Sequence, residues 1–213
     1  KRTYTVYNKV YCETFAQRAR PRQGPLKILS VMRLDRAKFP ECLIEAIAPL
    51  DVQLKLIGKG ELAGALREQV ARLGLQERVE FIDQVPNSDI AAHYHEADVF
   101  AMATHYEGFC IPVLEAMAAG LPVVASATGP IPEVLAGNGL TVGKNPTEFT
   151  EVLASLAADP DRCESLGQAA RCRALAVDGT IMEEREAELY RIVMGKRQAE
   201  MADLLSDVHR FVN

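Results

Sequence analysis

From Leu26 onward, short apolar runs alternate with segments whose apolar residues recur at helical spacing. The runs "LKILSVM" (26–32), "VQLKLIG" (52–58), "RVEFI" (78–82), "DVFAMA" (98–103) and "PVVAS" (122–126) read as buried strands. Between them, Leu62, Leu66, Val70 and Leu73 share one face of a helix over 61–74. "PECLIEAIAPL" (40–50) opens on a proline suited to a first helical position. "NSDIAAHYHEA" (87–97) opens on Asn87 or Ser88 as cap candidates. Such alternation predicts an α/β fold, a parallel sheet with helices on both faces. Sheets of this kind bind ligands at the carboxyl ends of their strands.

After Leu140 the pattern turns helical. Phe149, Val152, Leu153 and Leu156 form one stripe; Met201, Leu204, Leu205, Val208 and Val212 form another, with Gly195 just ahead of it. The last stripe has no evident partner in the sheet and is expected to dock elsewhere. Ahead of Leu26, "TYTVY" reads as a short strand in a linker that the breaker stretch "RARPRQGP" closes. There is no internal repeat.

Composition narrows the class. The chain has 213 residues, enough for a sizeable core, with 48% apolar and 25% charged residues, as in ordinary soluble globular proteins. No apolar run approaches the roughly 18–20 residues of a membrane span, and the first residues lack a signal-peptide core. A first residue other than Met points to a processed or truncated N-terminus. Residues 1–38 carry ten Lys and Arg against two acids, net +8; the remainder carries fourteen against twenty-seven, net −13. The basic stretch reads as a solvated linker near an anion site, in a cytoplasmic protein that could sit peripherally at the inner face of a membrane. Aromatic residues do not interleave with the cations, so no nucleic-acid partner is expected. Five cysteines without a CxxC pair read as free thiols. His93 and His95, two apart on a helix, make a poor metal pair.

The chemistry concentrates in "HYEGFCIPVLEAMAAGLPVVAS" (105–126). Glu107 and Gly108 lie in the loop after a strand, and Pro112 suits a helix start, so the amides of Phe109, Cys110 and Ile111 would form an anion site. Gly108 lets a backbone approach a ligand closely. Glu115, about one turn into that helix, can accept from a vicinal diol such as a ribose, and Glu107 from a second sugar. Taken alone, the two carboxylates could equally be a dipole-favoured and a solvated side chain. At another strand end, "SVMRLDRAK" sets Arg33 and Lys38 across a strand-to-helix loop, where both can converge on one diphosphate.

Together these stretches resemble the donor-binding domain of retaining, GT-B-fold glycosyltransferases (glycosyl transferases group 1). The motif E-G-F-G-x-P-x-x-E-A-M-A appears as "EGFCIPVLEAMA", with the family's E-x7-E spacing. The G-x-P-V-V-A-x-x-x-G-G-x-x-E stretch appears as "GLPVVASATGPIPEVL", with Glu133 at its acid. V-G-R-L-x-x-x-K appears as "SVMRLDRAK", and "YTVYNKVYCETF" resembles the strand and linker leaving the family's acceptor domain. The resemblance implies a Rossmann-like sheet and transfer of a hexose from a UDP- or GDP-linked sugar with retention, without metal or other cofactor. It implies that Arg33 and Lys38 bind the diphosphate, that Glu115 holds the ribose, and that Glu107 contacts the transferred sugar. Amides of Gly108, Phe109, Cys110 and Ile111 would serve sugar and phosphate, and the loop around Val85 the base.

Four glycines of the pattern are replaced, by Met32, Phe39, Cys110 and Pro130. Met32 would either crowd the phosphate approach or point into sheet packing. The implied organisation is a linker over 1–25, a donor domain over 26–194 and a helix over 195–213 that docks on an acceptor domain outside this sequence. The chain thus reads as the donor half of a longer enzyme or one subunit of a split one, with the acceptor unknown. A sugar-nucleotide epimerase of the same fold and a non-catalytic nucleotide-sugar sensor are the competing readings.

Overall fold

The computed structural model describes residues 5–16 and 24–211, with side chains described as far as residue 195. Six strands form one parallel sheet: β1 (Leu26–Val31), β2 (Val52–Ile57), β3 (Val79–Ile82), β4 (Val99–Met102), β5 (Val123–Ser126) and β6 (Leu140–Val142). Their order is β3-β2-β1-β4-β5-β6. The chain therefore builds outward in one direction from β1, then returns to β1 and builds in the other. The carboxyl ends of β1 and β4 form the switch point, where sheets of this kind leave a ligand-binding crevice.

The helices are α1 (Pro40–Ile47), α2 (Ala63–Arg72), α3 (Ile90–Glu96), α4 (Ile111–Ala118), α5 (Ile131–Leu135), α6 (Pro146–Ala158), α7 (Pro160–Leu175) and α8 (Gly179–Phe211). Helix α1 packs with α2 and α6 on one face of the sheet, while α4 packs with α7 and α3 lies against β1 on the other. This is the Rossmann-like α/β architecture that the alternating pattern predicts. All four residues of both β4 and β5 are buried, as expected of strands covered on both faces. Two helices open on short polar side chains. Asn145 accepts from the Glu148 N–H at 3.0 Å to cap α6, and Asp159 accepts from the Arg162 N–H at 3.0 Å to cap α7. The Arg78 guanidinium donates to the carbonyls of Ile47, Ala48 and Leu50 at the end of α1.

The structure departs from the sequence pattern in several places. Strand β6 begins at Leu140, beyond which only helix is expected; it has three residues, with Thr141 exposed, and is too short to show a period. Helix α3 starts at Ile90 after Asp89, later than the Asn87 or Ser88 caps imply. Of "TYTVY", Thr5–Tyr7 form no strand, and Thr3 and Tyr4 lie outside the described residues, as does most of "RARPRQGP". The segment ahead of β1 instead forms a 3-10 turn, Cys12–Phe15, and buries Val10, Cys12 and Phe15 in the common core. Phe15 meets Tyr94 edge-on at 5.4 Å. Helix α8 runs through Gly195 without a break, and the side chains of its last stripe lie outside the described residues.

Helix α7 crosses the chain just beyond α4 through a glycine. A Cβ on Gly167 would stand 2.2 Å from the Gly120 carbonyl oxygen, against backbone that cannot yield cheaply. Gly167→Ala is expected to destabilise the fold by about 2 kcal/mol, lowering the midpoint of thermal unfolding by about 5 °C. An unchanged midpoint would contradict so close a crossing.

Candidate active site

Two loops border the switch point: residues 32–39 after β1 and 103–110 after β4. One carbonyl joins them. The Ala37 oxygen accepts from the His105 N–H at 2.8 Å and the Tyr106 N–H at 3.2 Å. The hydroxyl of fully buried Thr104 lies 3.0 Å from that oxygen and 2.9 Å from the Tyr106 carbonyl. Each such bond adds about 0.5–1.5 kcal/mol net. On the far side, the Thr128 hydroxyl donates to the Thr104 carbonyl at 3.1 Å.

Within this frame Lys38 and Glu107 meet. The Nζ–Oε2 distance is 2.7 Å, and the side chains are only 14% and 10% exposed. Neither sequence neighbourhood reveals the pairing, because 69 positions separate the two residues. In a pair this sheltered, removing either partner leaves the other without its counter-group. Glu107 Oε1 also accepts from the Gly108 N–H at 3.2 Å. Arg33 behaves differently. It sits between buried Met32 and Leu34, which turn inward and push it out, so it is 74% exposed and pairs with Asp35 at 3.0 Å. Expected to converge with Lys38, Arg33 instead reaches outward, with room to swing.

The replaced glycines now sort by backbone conformation. Phe39, immediately before α1, has φ 45°, and Cys110, immediately before α4, has φ 77°. Both are left-handed conformations that glycine enters without penalty and other residues at about 1–2 kcal/mol. Compensation is visible at each. Phe39 stacks on the His105 ring at 4.3 Å, and Cys110 is buried with its Sγ 3.1 Å from the Met102 sulfur. Burial pushes the Cys110 thiol far up, which makes it a packing group. Pro130 has φ −80°, so no glycine is needed there. The retained Gly129, at φ 53°, is needed: a Cβ there would stand 2.6 Å from the Glu107 carbonyl oxygen. Met32 is 6% exposed and turned into the core, which resolves its two alternatives in favour of packing.

Helix α4 starts after Cys110, so its first amides point back toward the 107–110 loop. Where a Cβ would stand on Gly108 there is open space, and Ile111 is exposed. Phe109 is half-buried. Glu115, one turn into α4, is half-buried and accepts from the Tyr94 hydroxyl at 2.7 Å. Burial pushes its carboxyl upward, and the Tyr94 bond offsets part of that. Tyr94, fully buried, is raised in turn by burial and by the Glu115 charge. Val85, in the loop after β3, is half-buried against the core.

Sequence reasoning missed Tyr94, which only the packing of α3 on α4 brings to Glu115, and Lys144. The Lys144 ammonium, just beyond β6, donates to the His105 carbonyl at 3.2 Å and adds a cation to this edge. A separate cleft of roughly 430 Å³ lies over the amino-terminal halves of β1–β3, lined by Lys55, Glu80, His93 and Glu96 among others. Lys55 there already bridges Glu96 at 2.9 Å and Glu80 at 3.5 Å. It lies away from the loops that carry the site. Among the described residues, no helix is long and apolar enough to cross a membrane.

A parallel sheet of this order holds ligands at its switch point, and the cations and carboxylates of both loops lie there. The family model for glycosyl transferases group 1 matches residues 13–173, and the chain belongs to that family. It is 35% identical over 190 residues to the GDP-mannose-dependent alpha-(1-6)-phosphatidylinositol monomannoside mannosyltransferase of Mycolicibacterium smegmatis. That match covers 82% of this chain and 49% of the relative, so the chain spans about half the length of the protein it resembles. Among solved structures, sucrose-phosphate synthase from Thermosynechococcus elongatus superposes with a TM-score of 0.80 at 27% identity, over 88% of this chain and 52% of that one. HepE of Anabaena, solved with UDP-glucose, shares the fold with a TM-score of 0.79 at 24% identity, over 87% and 56%. The C-terminal domain of a group 1 glycosyl transferase (LpcC) from Francisella tularensis matches over 97% of its own length and 78% of this chain, with a TM-score of 0.69 at 25% identity.

Two outcomes test this geometry. Cys110→Gly should be more stable than Cys110→Ala by about 1 kcal/mol, the reverse of their order inside a helix; urea unfolding measures the difference. Glu115 has its folded pKa raised above the ordinary 4.5, so its contribution is intact below that value and lost as pH rises through the raised one. Glu115→Gln should therefore match the wild type near about pH 4 and exceed it in stability near about pH 7. A difference independent of pH would show that the carboxyl is not penalised by burial.

Proposed function

We propose that this chain is the donor-binding half of a retaining glycosyltransferase. It would move a hexose from a nucleoside-diphosphate sugar to an acceptor without a metal. The observation that carries this reading is the sheltered Lys38–Glu107 pair, 2.7 Å apart on the two loops of the switch point, beside the amino end of α4. A cation and a carboxylate held together there present a diphosphate and a sugar hydroxyl with complementary groups at once. The M. smegmatis relative is named for GDP-mannose and the Anabaena structure holds UDP-glucose, which supports a nucleotide sugar and leaves the base to experiment.

In this reading the Lys38 ammonium faces the diphosphate while remaining in contact with Glu107. Arg33 leaves Asp35 and swings in as negative charge grows on the leaving phosphate. Glu115, held by Tyr94, accepts from the ribose hydroxyls, and Glu107 accepts from a hydroxyl of the transferred sugar. The amides of Gly108, Phe109, Cys110 and Ile111 donate to sugar and phosphate oxygens, and Val85 borders the base. The bond from the anomeric carbon to the phosphate oxygen breaks and its electron pair stays with the nucleoside diphosphate. The acceptor hydroxyl bonds to the anomeric carbon on the same face, and its proton passes to the departing phosphate oxygen. Configuration is thereby retained. The acceptor would be held by a domain outside this sequence or by a partner subunit.

A calorimetric panel of UDP, GDP and ADP, each with and without Mg²⁺, tests the proposal. UDP or GDP should bind with equal affinity in both conditions; failure of all three to bind would overturn it, and Mg²⁺-dependent binding would remove the metal-free mechanism. Glu115→Ala should weaken the favoured nucleotide about 10- to 100-fold, the equivalent of about 1.5–3 kcal/mol for hydrogen bonds to a charged group. Unchanged affinity would refute the ribose assignment. Joint replacement Arg33→Ala and Lys38→Ala should abolish transfer by the complete enzyme.

A further inference from the structure

We infer that Tyr7, in the segment ahead of β1, is a positioning residue for the 107–111 loop and sets nucleoside-diphosphate affinity from outside the crevice. The inference rests on the donor-binding reading above. Its basis is a brace around one ring. The Tyr7 ring packs on Phe109 with centroids 5.7 Å apart and planes tilted by 43°. Its hydroxyl donates to Glu133 Oε1 at 2.9 Å, at the start of α5. The Arg173 guanidinium, from α7, lies 5.6 Å from the ring centre, and its Nη2 donates to the Tyr7 oxygen at 3.4 Å. Arg173 Nε donates to the Val134 carbonyl at 3.3 Å, tying α7 to α5 as well. The Tyr7 N–H points at the Met182 sulfur, 3.4 Å away on α8.

Three helices thus converge on one tyrosine, and that tyrosine rests on the aromatic residue of the candidate amide cluster. The consequence follows from how such clusters work. Amides bind an anion well only when their directions are held before it arrives. The loop's inner flank is held by the Ala37 carbonyl and by Gly129 against the Glu107 carbonyl. Its outer flank, at Phe109, is held by Tyr7. Cys110, the next residue, makes this support more necessary, because it holds a left-handed conformation that glycine adopts freely. Tyr11, four residues on, supplies an internal control. Its hydroxyl donates to Glu183 at 2.6 Å, so it secures the same segment to α8 from an exposed position.

The test uses the 213-residue chain with two readouts. Amide hydrogen exchange across 107–111 should quicken in Tyr7→Ala and remain as in the wild type in Tyr11→Ala. Titration with UDP and GDP should show about a tenfold loss of affinity in Tyr7→Ala, the effect of removing one aromatic pair. Tyr7→Phe, which retains the ring on Phe109, should recover most of that loss, and Tyr11→Ala should bind as the wild type does. Equal effects of Tyr7→Ala and Tyr11→Ala would overturn the inference, since the segment's seating as a whole would then be responsible. Unchanged exchange in Tyr7→Ala would overturn it as well, whatever the affinity. Wild-type protein that binds neither nucleotide would overturn the donor-binding reading instead, and the exchange experiment would still judge Tyr7. Should Tyr7→Ala not fold, Tyr7→Leu supplies the same comparison against Tyr7→Phe.

Discussion

The site depends on one backbone oxygen. Ala37 lies on the loop after β1, and its carbonyl receives two N–H groups and faces a buried hydroxyl from the loop after β4. Those loops follow the parallel neighbours β1 and β4, from which the two halves of the sheet are built outward, so nothing in the helices or ladders dictates how their tips meet. Without that junction, Lys38 and Glu107 would sit on independently moving segments, and a 2.7 Å ion pair would carry the full entropic cost of bringing them together. With it, the pair forms between groups already placed. The same junction orients the start of α4, because only a few residues separate Tyr106 from its first turn.

Two glutamates on one motif meet different electrostatic surroundings. Glu107 faces the Lys38 ammonium 2.7 Å away. Glu115 has a neutral phenol for a partner, and burial pushes its carboxyl upward. The first arrangement sets a cation directly beside the carboxylate. The second suits a group whose charge is tolerated at a cost and is compensated when donors arrive from a ligand. Environment separates the two, since the side chains are identical.

The left-handed positions show what this framework can absorb. Phe39 and Cys110 each precede a helix that begins at the switch point, and each occupies a conformation that favours glycine. An L-residue is retained at both because tertiary contacts compensate: a ring stacked on His105 in one case, a thiol sealed against Met102 in the other. Strain of this size persists where the surrounding structure over-determines the backbone. Tyr7 on Phe109 and Gly129 on Glu107 supply that over-determination for the second loop.

Periodicity by itself determined the α/β class, five of the six strands, and the helices between them, because burial on both faces leaves an apolar run that short-range pattern records. Strand β6 escaped it, having too few residues to express a period. Motif spacing marked Arg33, Lys38, Glu107 and Glu115 as candidates for the chemistry, since loop and helix-start positions are set locally. The strand order was beyond reach of local pattern, and with it the juxtaposition of the β1 and β4 loops. So was the choice of partner for each charge: Lys38 with Glu107, Arg33 with Asp35, Glu115 with Tyr94. The docking of Tyr7 on Phe109 belongs with these, for 102 positions separate them in the sequence. Contacts over such separations are decided when whole layers pack, and no window along the chain contains them.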